Sequence, residues 1–320
     1  MKRHITQNKL FKLARLTYQY IYDFNRFRRH SIAVKTAKTK ENYRAILTFN
    51  YHAIEKGMSL PNPKKGFGKE KIETIIKTAE SYENKFGSDF LISTIHSVLR
   101  NYSDSIFSED DTARKIRSYL EKKSNEEENG GTTKITKEVL FLAEKNEAIK
   151  FIKSRKSVRI FNGKKIENLE LIKIIETAKY APSVCNRQSC KVFIANDRET
   201  IDSALAFQNG NSGFGDKIGA LFIVTSDINN FMTTNERNQP FVDGGIFAMS
   251  IVSSLHAFGY GSCMLNWSSS PSQDRKLQKK FSIPKNHVII TMIGAGFVPD
   301  HPIDVATSPR IPTEKIITWL

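Results

Sequence analysis

Little cysteine and no long apolar run mark this chain of 320 residues. Its three cysteines, Cys185, Cys190 and Cys263, cannot make a disulfide framework. The CxxxxC spacing of the first two lacks a second pair, which argues against a zinc site. No stretch approaches the roughly 20 apolar residues that a membrane span requires. No apolar signal region follows the basic residues 1–4. These absences predict a protein of the reducing cytoplasm. Acid is scarce in one place: residues 1–50 carry twelve Lys and Arg against only Asp23 and Glu41. Residues 51–134 hold fourteen of each sign, so the net charge of +16 is concentrated in a basic arm. A nucleic-acid binder that is basic throughout would not be distributed this way.

The composition divides the chain. Residues 121–134 (EKKSNEEENGGTTK) carry charge, Ser, Asn, Gly and Thr with too little apolar surface to pack, and read as a linker. Residues 1–120 then form a small helical domain. Its helices are predicted over 41–56, ending at Gly57, and over 69–86, ending at Gly87, with Ser88 and Ser108 as N-caps of later helices. After the linker, helices predicted over 137–153, 168–180 and 244–258 alternate with buried strands over 190–195, 220–225 and 287–293. The basic arm has three readings: a helix packed on its own domain, a peripheral membrane contact through residues 1–35, and, least favoured, a nucleic-acid contact. His52 and Glu55 share a helical face without a second pair, so they read as a surface contact. Gly66-Phe67-Gly68-Lys69 lacks the strand and spacing of a phosphate loop and reads as a turn into a helix.

Four short blocks carry chemistry. Arg155-Lys156-Ser157-Val158-Arg159-Ile160-Phe161 supplies three cations and a hydroxyl with apolar residues between them. In an extended stretch Arg155, Ser157 and Arg159 share one face, a set suited to a phosphate. The others are Ala181-Pro182-Ser183-Val184-Cys185-Asn186-Arg187-Gln188, Gly259-Tyr260-Gly261-Ser262-Cys263-Met264-Leu265-Asn266-Trp267 and Ser308-Pro309-Arg310-Ile311-Pro312.

In this order and spacing the blocks resemble the FMN-dependent nitroreductase superfamily across residues 137–320, and the first resembles its iodotyrosine deiodinase branch. The resemblance implies an α+β fold, a central β-sheet flanked by helices and preceded here by the helical domain. It implies that Arg155, Lys156, Ser157 and Arg159 hold the FMN phosphate and reach toward the ribityl chain or ring, with Ser308 and Arg310 closing the phosphate site. Pro182, Ser183, Asn186 and Gln188 would reach FMN from the other subunit of a homodimer. Met264, Leu265 and Asn266 would line the ring, and Lys217 its pyrimidine edge. NAD(P)H becomes the expected donor and a small nitro or quinone compound the expected acceptor. Dehalogenation, desaturation, flavin fragmentation and a non-catalytic adaptor role recruited to a membrane-associated complex stay open. Two departures stand out: Ser189 and Cys190 follow Gln188 where the family has Pro and an aromatic, and Ser308 replaces its usual lysine. Residues 52–71 resemble an N-terminal extension of some bacterial relatives. Residues 229–239 read as polar and uninformative.

Overall fold

Apolar periodicity and its caps set the N-terminal helices. The computed structural model describes residues 9–61, 66–105, 111–121, 123 and 130–320. Among the described residues five helices come first: α1 (Lys9–His30), α2 (Lys40–Met58), α3 (Lys69–Phe86), α4 (Phe90–Ser103) and α5 (Asp111–Leu120). α2 starts at a capping box in which Thr39 Oγ1 accepts from Asn42 N at 3.2 Å and Asn42 Oδ1 accepts from Thr39 N at 3.3 Å. That pair satisfies donors the first turn would otherwise leave bare. Leu47, Ile54, Ile75, Tyr82, Ile92 and Leu99 meet in one core beneath these helices.

Some boundaries differ from expectation for identifiable reasons. α3 does end at Gly87, whose φ of 78° suits glycine. α2 does not stop at Gly57. It continues through Met58 to a cap at Ser59. Gly57 is instead where the Phe67 ring lies, and a Cβ there would collide with it. α4 is capped by Asp89, not Ser88, because the Asp89 carboxylate accepts from Leu91 N at 3.1 Å and from Tyr82 OH at 2.7 Å. The expected cap at Ser108, residues 1–8 of the arm and residues 122 and 124–129 of the linker lie outside the described residues. The end of the linker is tied down. Ser97 Oγ donates to Gly130 O at 2.8 Å, Gly131 N donates to Glu55 Oε1 at 3.0 Å, and Thr132 N donates to Asn101 Oδ1 at 3.2 Å.

The C-terminal part holds α6 (Lys137–Leu140), α7 (Lys145–Ser154), α8 (Asn168–Ala178), β1 (Cys190–Ala195), α9 (Arg198–Leu205), β2 (Ala220–Asp227), α10 (Gln239–Ala257), β3 (Gly261–Asn266), α11 (Pro271–Lys280) and β4 (His287–Gly296). The single helix expected over 137–153 is broken, since Phe141 leaves helical angles and Glu144 caps a new start by accepting from Asn146 N at 3.1 Å. The four strands form an antiparallel sheet in the order β1-β2-β4-β3. This is an α+β fold.

Strand alternation feeds two cores. Leu221, Ile223, Ile289 and Met292 point to one face, where Ile201 and Leu205 of α9 and Leu277 of α11 cover them. Phe222, Val224, Ile293 and Ala295 point to the other, against Ile251 and Leu255 of α10 and Ile174 of α8. The helical domain rests on this unit through buried polar bonds. Ser31 Oγ and Ile32 N both donate to Phe231 O at 3.1 Å, and Asn42 Nδ2 donates to Asn229 O at 2.8 Å. On α1, Tyr22 OH and Arg26 Nη1 donate to Asp274 Oδ2 at 2.9 and 2.6 Å.

Candidate active site

After α7 the chain runs extended beside β3. Ser157 bridges Ser262 in parallel, Val158 N donates to Ser262 O at 2.9 Å, and Phe161 anchors the far end in the core. The alternation is looser than expected, because Ile160 is exposed while Val158 and Phe161 pack. Among the described ion pairs, none joins Arg155, Lys156 or Arg159 to a carboxylate. Arg155 and Lys156 line a cavity of about 320 Å³ with His256, Tyr260, Ser262 and Val305. Arg159 lies near Cys263, where its charge opposes the burial that raises that thiol.

The other residues assigned to this edge are placed unevenly. Met264 and Asn266 are exposed along β3, and Gln208 Nε2 donates to Asn266 O at 3.1 Å. Leu265 points into the core, so only its backbone remains available to a ligand. Val305 brings the C-terminal arm to the cavity. Farther along, the Arg310 guanidinium donates to the carbonyl of Ser308, whose φ is 47°. Lys217 is exposed and its stem lies over Gly163, beyond the end of the basic segment.

The block 181–188 lies at the opposite edge, before β1. Three of its residues adopt left-handed backbone angles: Cys185, Asn186 and Gln188, with φ of 49°, 51° and 49°. Such conformations cost about 1 kcal/mol or more each outside glycine, so surrounding structure must enforce them. Several bonds do so. The Asp243 carboxylate of α10 accepts from Val184 N at 3.3 Å, and Ser183 Oγ accepts from Gln188 N at 3.0 Å. The fully buried Arg187 side chain forms a bidentate pair with Glu236 and sits 5.5 Å from the Phe231 ring centre. Glu236 Oε2 also accepts from Met232 N at 2.6 Å and Thr233 N at 3.1 Å. Burial pushes the Glu236 carboxyl up, but the Arg187 bond and these amides outweigh it and leave it lowered. Asp243 is raised by burial, against the pull of Gln239 and Val184. Pro182, Asn186 and Gln188 stay exposed, presented by this frame. Residues 229–239, expected to be uninformative, thus supply Glu236 and Phe231. The signal available was Arg187 itself, a cation between two polar loop residues that needed an acid.

Cys185 and Cys190 are free, and burial pushes the Cys190 thiol up to about 12. His52 Nδ1 lies 3.4 Å from Glu55 Oε2, and among the described residues no group of His, Cys, Asp and Glu could hold a metal. β1 and β3 are the two edges of the sheet, with β2 and β4 between them. At about 4.8 Å per strand, the loop before β1 and the segment beside β3 are separated by roughly 15 Å or more. Arg155 and Lys156, without an acidic partner among the described ion pairs and lining a small cavity, fit a phosphate group, because guanidinium binds phosphate oxygens in pairs. The residues present therefore fit the phosphate end of FMN.

A basic segment thus lies along one sheet edge and an enforced polar loop at the other. Residues 152–208 match the sequence model of the Nitroreductase family, a span that contains both the basic segment and the strained loop. A curated Archaeoglobus fulgidus protein, named by inference an NADH dehydrogenase/NAD(P)H nitroreductase, is 24% identical over 155 residues. The alignment covers 48% of this chain and 87% of that protein. Among solved structures, an FMN-dependent nitroreductase from Clostridium difficile aligns with a TM-score of 0.43 and 20% identity, over 50% of this chain and 92% of its own. A nitroreductase with bound FMN from Desulfitobacterium hafniense aligns with a TM-score of 0.43 and 21% identity, over 55% of this chain and all of its own. The chain is thus similar to the Nitroreductase family over residues 152–208, a likeness that supports an FMN-dependent oxidoreductase in general.

Proposed function

We propose that the chain works as a homodimeric FMN enzyme of the cytoplasm, passing electrons from NAD(P)H or another donor to a small organic acceptor such as a nitro compound or quinone. The observation that carries this reading is the set Arg155, Lys156 and Arg159, held beside β3 without carboxylate partners among the described ion pairs. Arg155 and Arg159 hold the phosphate, Lys156 adds charge, and Ser157 adds a hydrogen bond. Arg310 and Ser308 close the site from the C-terminal arm, and Lys217 faces the pyrimidine edge. Met264, Asn266 and the Leu265 backbone orient the ring and keep water from it. When bound, FMN supplies hydride and single-electron transfer. Half-buried Cys190, whose thiol burial pushes up to about 12, stays neutral at physiological pH and takes no part.

The roughly 15 Å between the sheet edges supports a second copy as the source of Pro182, Ser183, Asn186 and Gln188. So does an apolar surface left open: Phe241, Val242, Ile246 and Met249 of α10 and Ile172 of α8 are all exposed. Aerobically purified protein should be yellow and release FMN by mass. Colourless protein that FMN cannot reconstitute overturns the reading. Steady-state NAD(P)H oxidation with quinone and nitroaromatic acceptors separates a simple reductase from a dehalogenase, a desaturase or a flavin-fragmenting enzyme.

A second reading concerns α1. Leu10, Leu13, Leu16, Tyr20 and Phe24 form an exposed apolar stripe interleaved with Lys9, Lys12 and Arg28, the pattern of a helix that lies on an anionic membrane surface. No helix among the described residues is long and apolar enough to cross a membrane. Pelleting with anionic vesicles, lost in Leu13→Glu/Phe24→Glu, is the expected result. Equal pelleting of both proteins removes this reading.

A further inference from the structure

The inner face of α1 carries a different surface. Tyr18, Tyr22, Asn25, Arg26 and Arg29 recur at helical spacing and look toward α11 and the turn after it. Between the two walls lies a cavity of about 760 Å³. Arg26 and Arg29 stand on one wall, with Arg275, Lys279 and Lys285 on the other, and no carboxylate lines the space. Asp274 and Asp23 are engaged by Arg26, outside the groove lining. Arg29, Lys279 and Lys285 have no acidic partner among the described ion pairs. His30, at the end of the groove, is held below the ordinary histidine range first by burial, then by Lys35, Arg26 and Arg29, against Asp227.

Charge on two facing walls favours a ligand with several phosphate oxygens over a single carboxylate, since each cation can meet a different oxygen. The groove also has an apolar side. Tyr18 and Ile21 are about half exposed there, and Ile283 closes the floor. The guanidinium carbons of Arg26 and Arg275 lie 5.0 and 5.3 Å from the Tyr22 ring centre, which fixes both groups at the rim. Tyr18 OH accepts from Arg275 Nη2 at 3.4 Å, which also steadies the α11 wall. Cavities of this size take small molecules rather than single ions.

We propose that the groove between α1 and α11 binds a nucleotide-class ligand, with its di- or triphosphate between Arg29, Arg275, Lys279 and Lys285 and its aromatic body against Tyr18, Ile21 and Ile283. The site shares no residue with the proposed FMN cradle. It would make the basic arm a ligand-binding wall in addition to a docked helix.

The test is calorimetric titration of the full-length protein with ATP, inorganic pyrophosphate and adenosine, at two salt concentrations. ATP and pyrophosphate should bind, with adenosine at least about tenfold weaker than ATP and ATP affinity falling as salt rises. Arg29→Glu/Lys279→Glu should weaken ATP by about tenfold or more while leaving the flavin absorbance unchanged. Lys279→Gln and Lys285→Gln, both at exposed positions, give the same readout where charge reversal lowers Tm. Arg155→Glu should leave ATP affinity unchanged, which separates this groove from the FMN phosphate site. The proposal is overturned by absence of ATP binding, by adenosine matching ATP, or by ATP affinity that follows Arg155 and ignores Arg29, Lys279 and Lys285. Anionic vesicles that compete with ATP for the inner-face residues would also overturn it, assigning the groove's phosphate chemistry to lipid headgroups.

Discussion

The two edges of the sheet use arginine in opposite ways. Beside β3, Arg155 and Arg159 have no acidic partner among the described ion pairs and lie on a strand-like segment held by its backbone and by Phe161. Before β1, Arg187 is wholly buried and bound on several sides by Glu236, Val184 O and Phe231. A cation whose partners are all protein atoms is architecture, because burying it unpaired would cost several kcal/mol. A cation left without them is available to a ligand. The contrast supports the proposed binding role of the β3 edge and gives the β1 edge the shaping of a loop.

The largest way to break that contrast is to strand the buried charge. Glu236→Ala should destabilise the protein by about 3–5 kcal/mol, read as a lower urea midpoint at unchanged slope. A cost below about 1 kcal/mol would mean that Arg187 finds water, and is not architecture. Next in size is a pH effect at His287, which is pushed down to about 4, first by burial and then by Lys191, with Glu41 opposing. The neighbouring Asp227 carboxylate lies 4.0 Å from Nε2, and Thr225 Oγ1 lies 2.8 Å from Nδ1. An unfolded histidine takes its proton near pH 6.5 and the folded one only near 4. Stability should therefore fall as pH drops through that window, by about 3 kcal/mol in total. His287→Gln should flatten that part of the pH–stability curve, and an unchanged slope would remove His287 as its source.

Arg155→Glu tests the other edge. It should weaken FMN by roughly tenfold to hundredfold while leaving Tm nearly unchanged, because no ion pair among the described residues is lost. A large Tm loss with normal FMN retention would reverse the assignment of the two edges. The smallest effect belongs to the pair Lys150–Glu147 on α7, at 2.8 Å but largely exposed. Glu147→Ala should cost less than about 0.5 kcal/mol, setting the baseline for a paired cation that is not buried.

Much of this was legible in the sequence, and for physical reasons. β1 coincides with the expected strand, since an apolar run bounded by polar loop residues has few other stable uses. The proposed phosphate site also stood out in the sequence, because a cluster of cations close together is what phosphate chemistry needs. The break at Phe141 and the Asp89 cap were not, since each depends on one side chain outcompeting a helical hydrogen bond. Glu236 was hidden for another reason. Its partner Arg187 is 49 residues away in sequence, so nothing local marks it.

The distance between the sheet edges also bears on genetics. If each pocket takes its basic segment from one copy and its Asn186 loop from the other, every mixed dimer of an Arg155→Glu chain with an Asn186→Ala chain gathers both lesions into one pocket and leaves the second intact. Two inactive alleles would then restore each other when expressed together, with about a quarter of all pockets whole under random pairing.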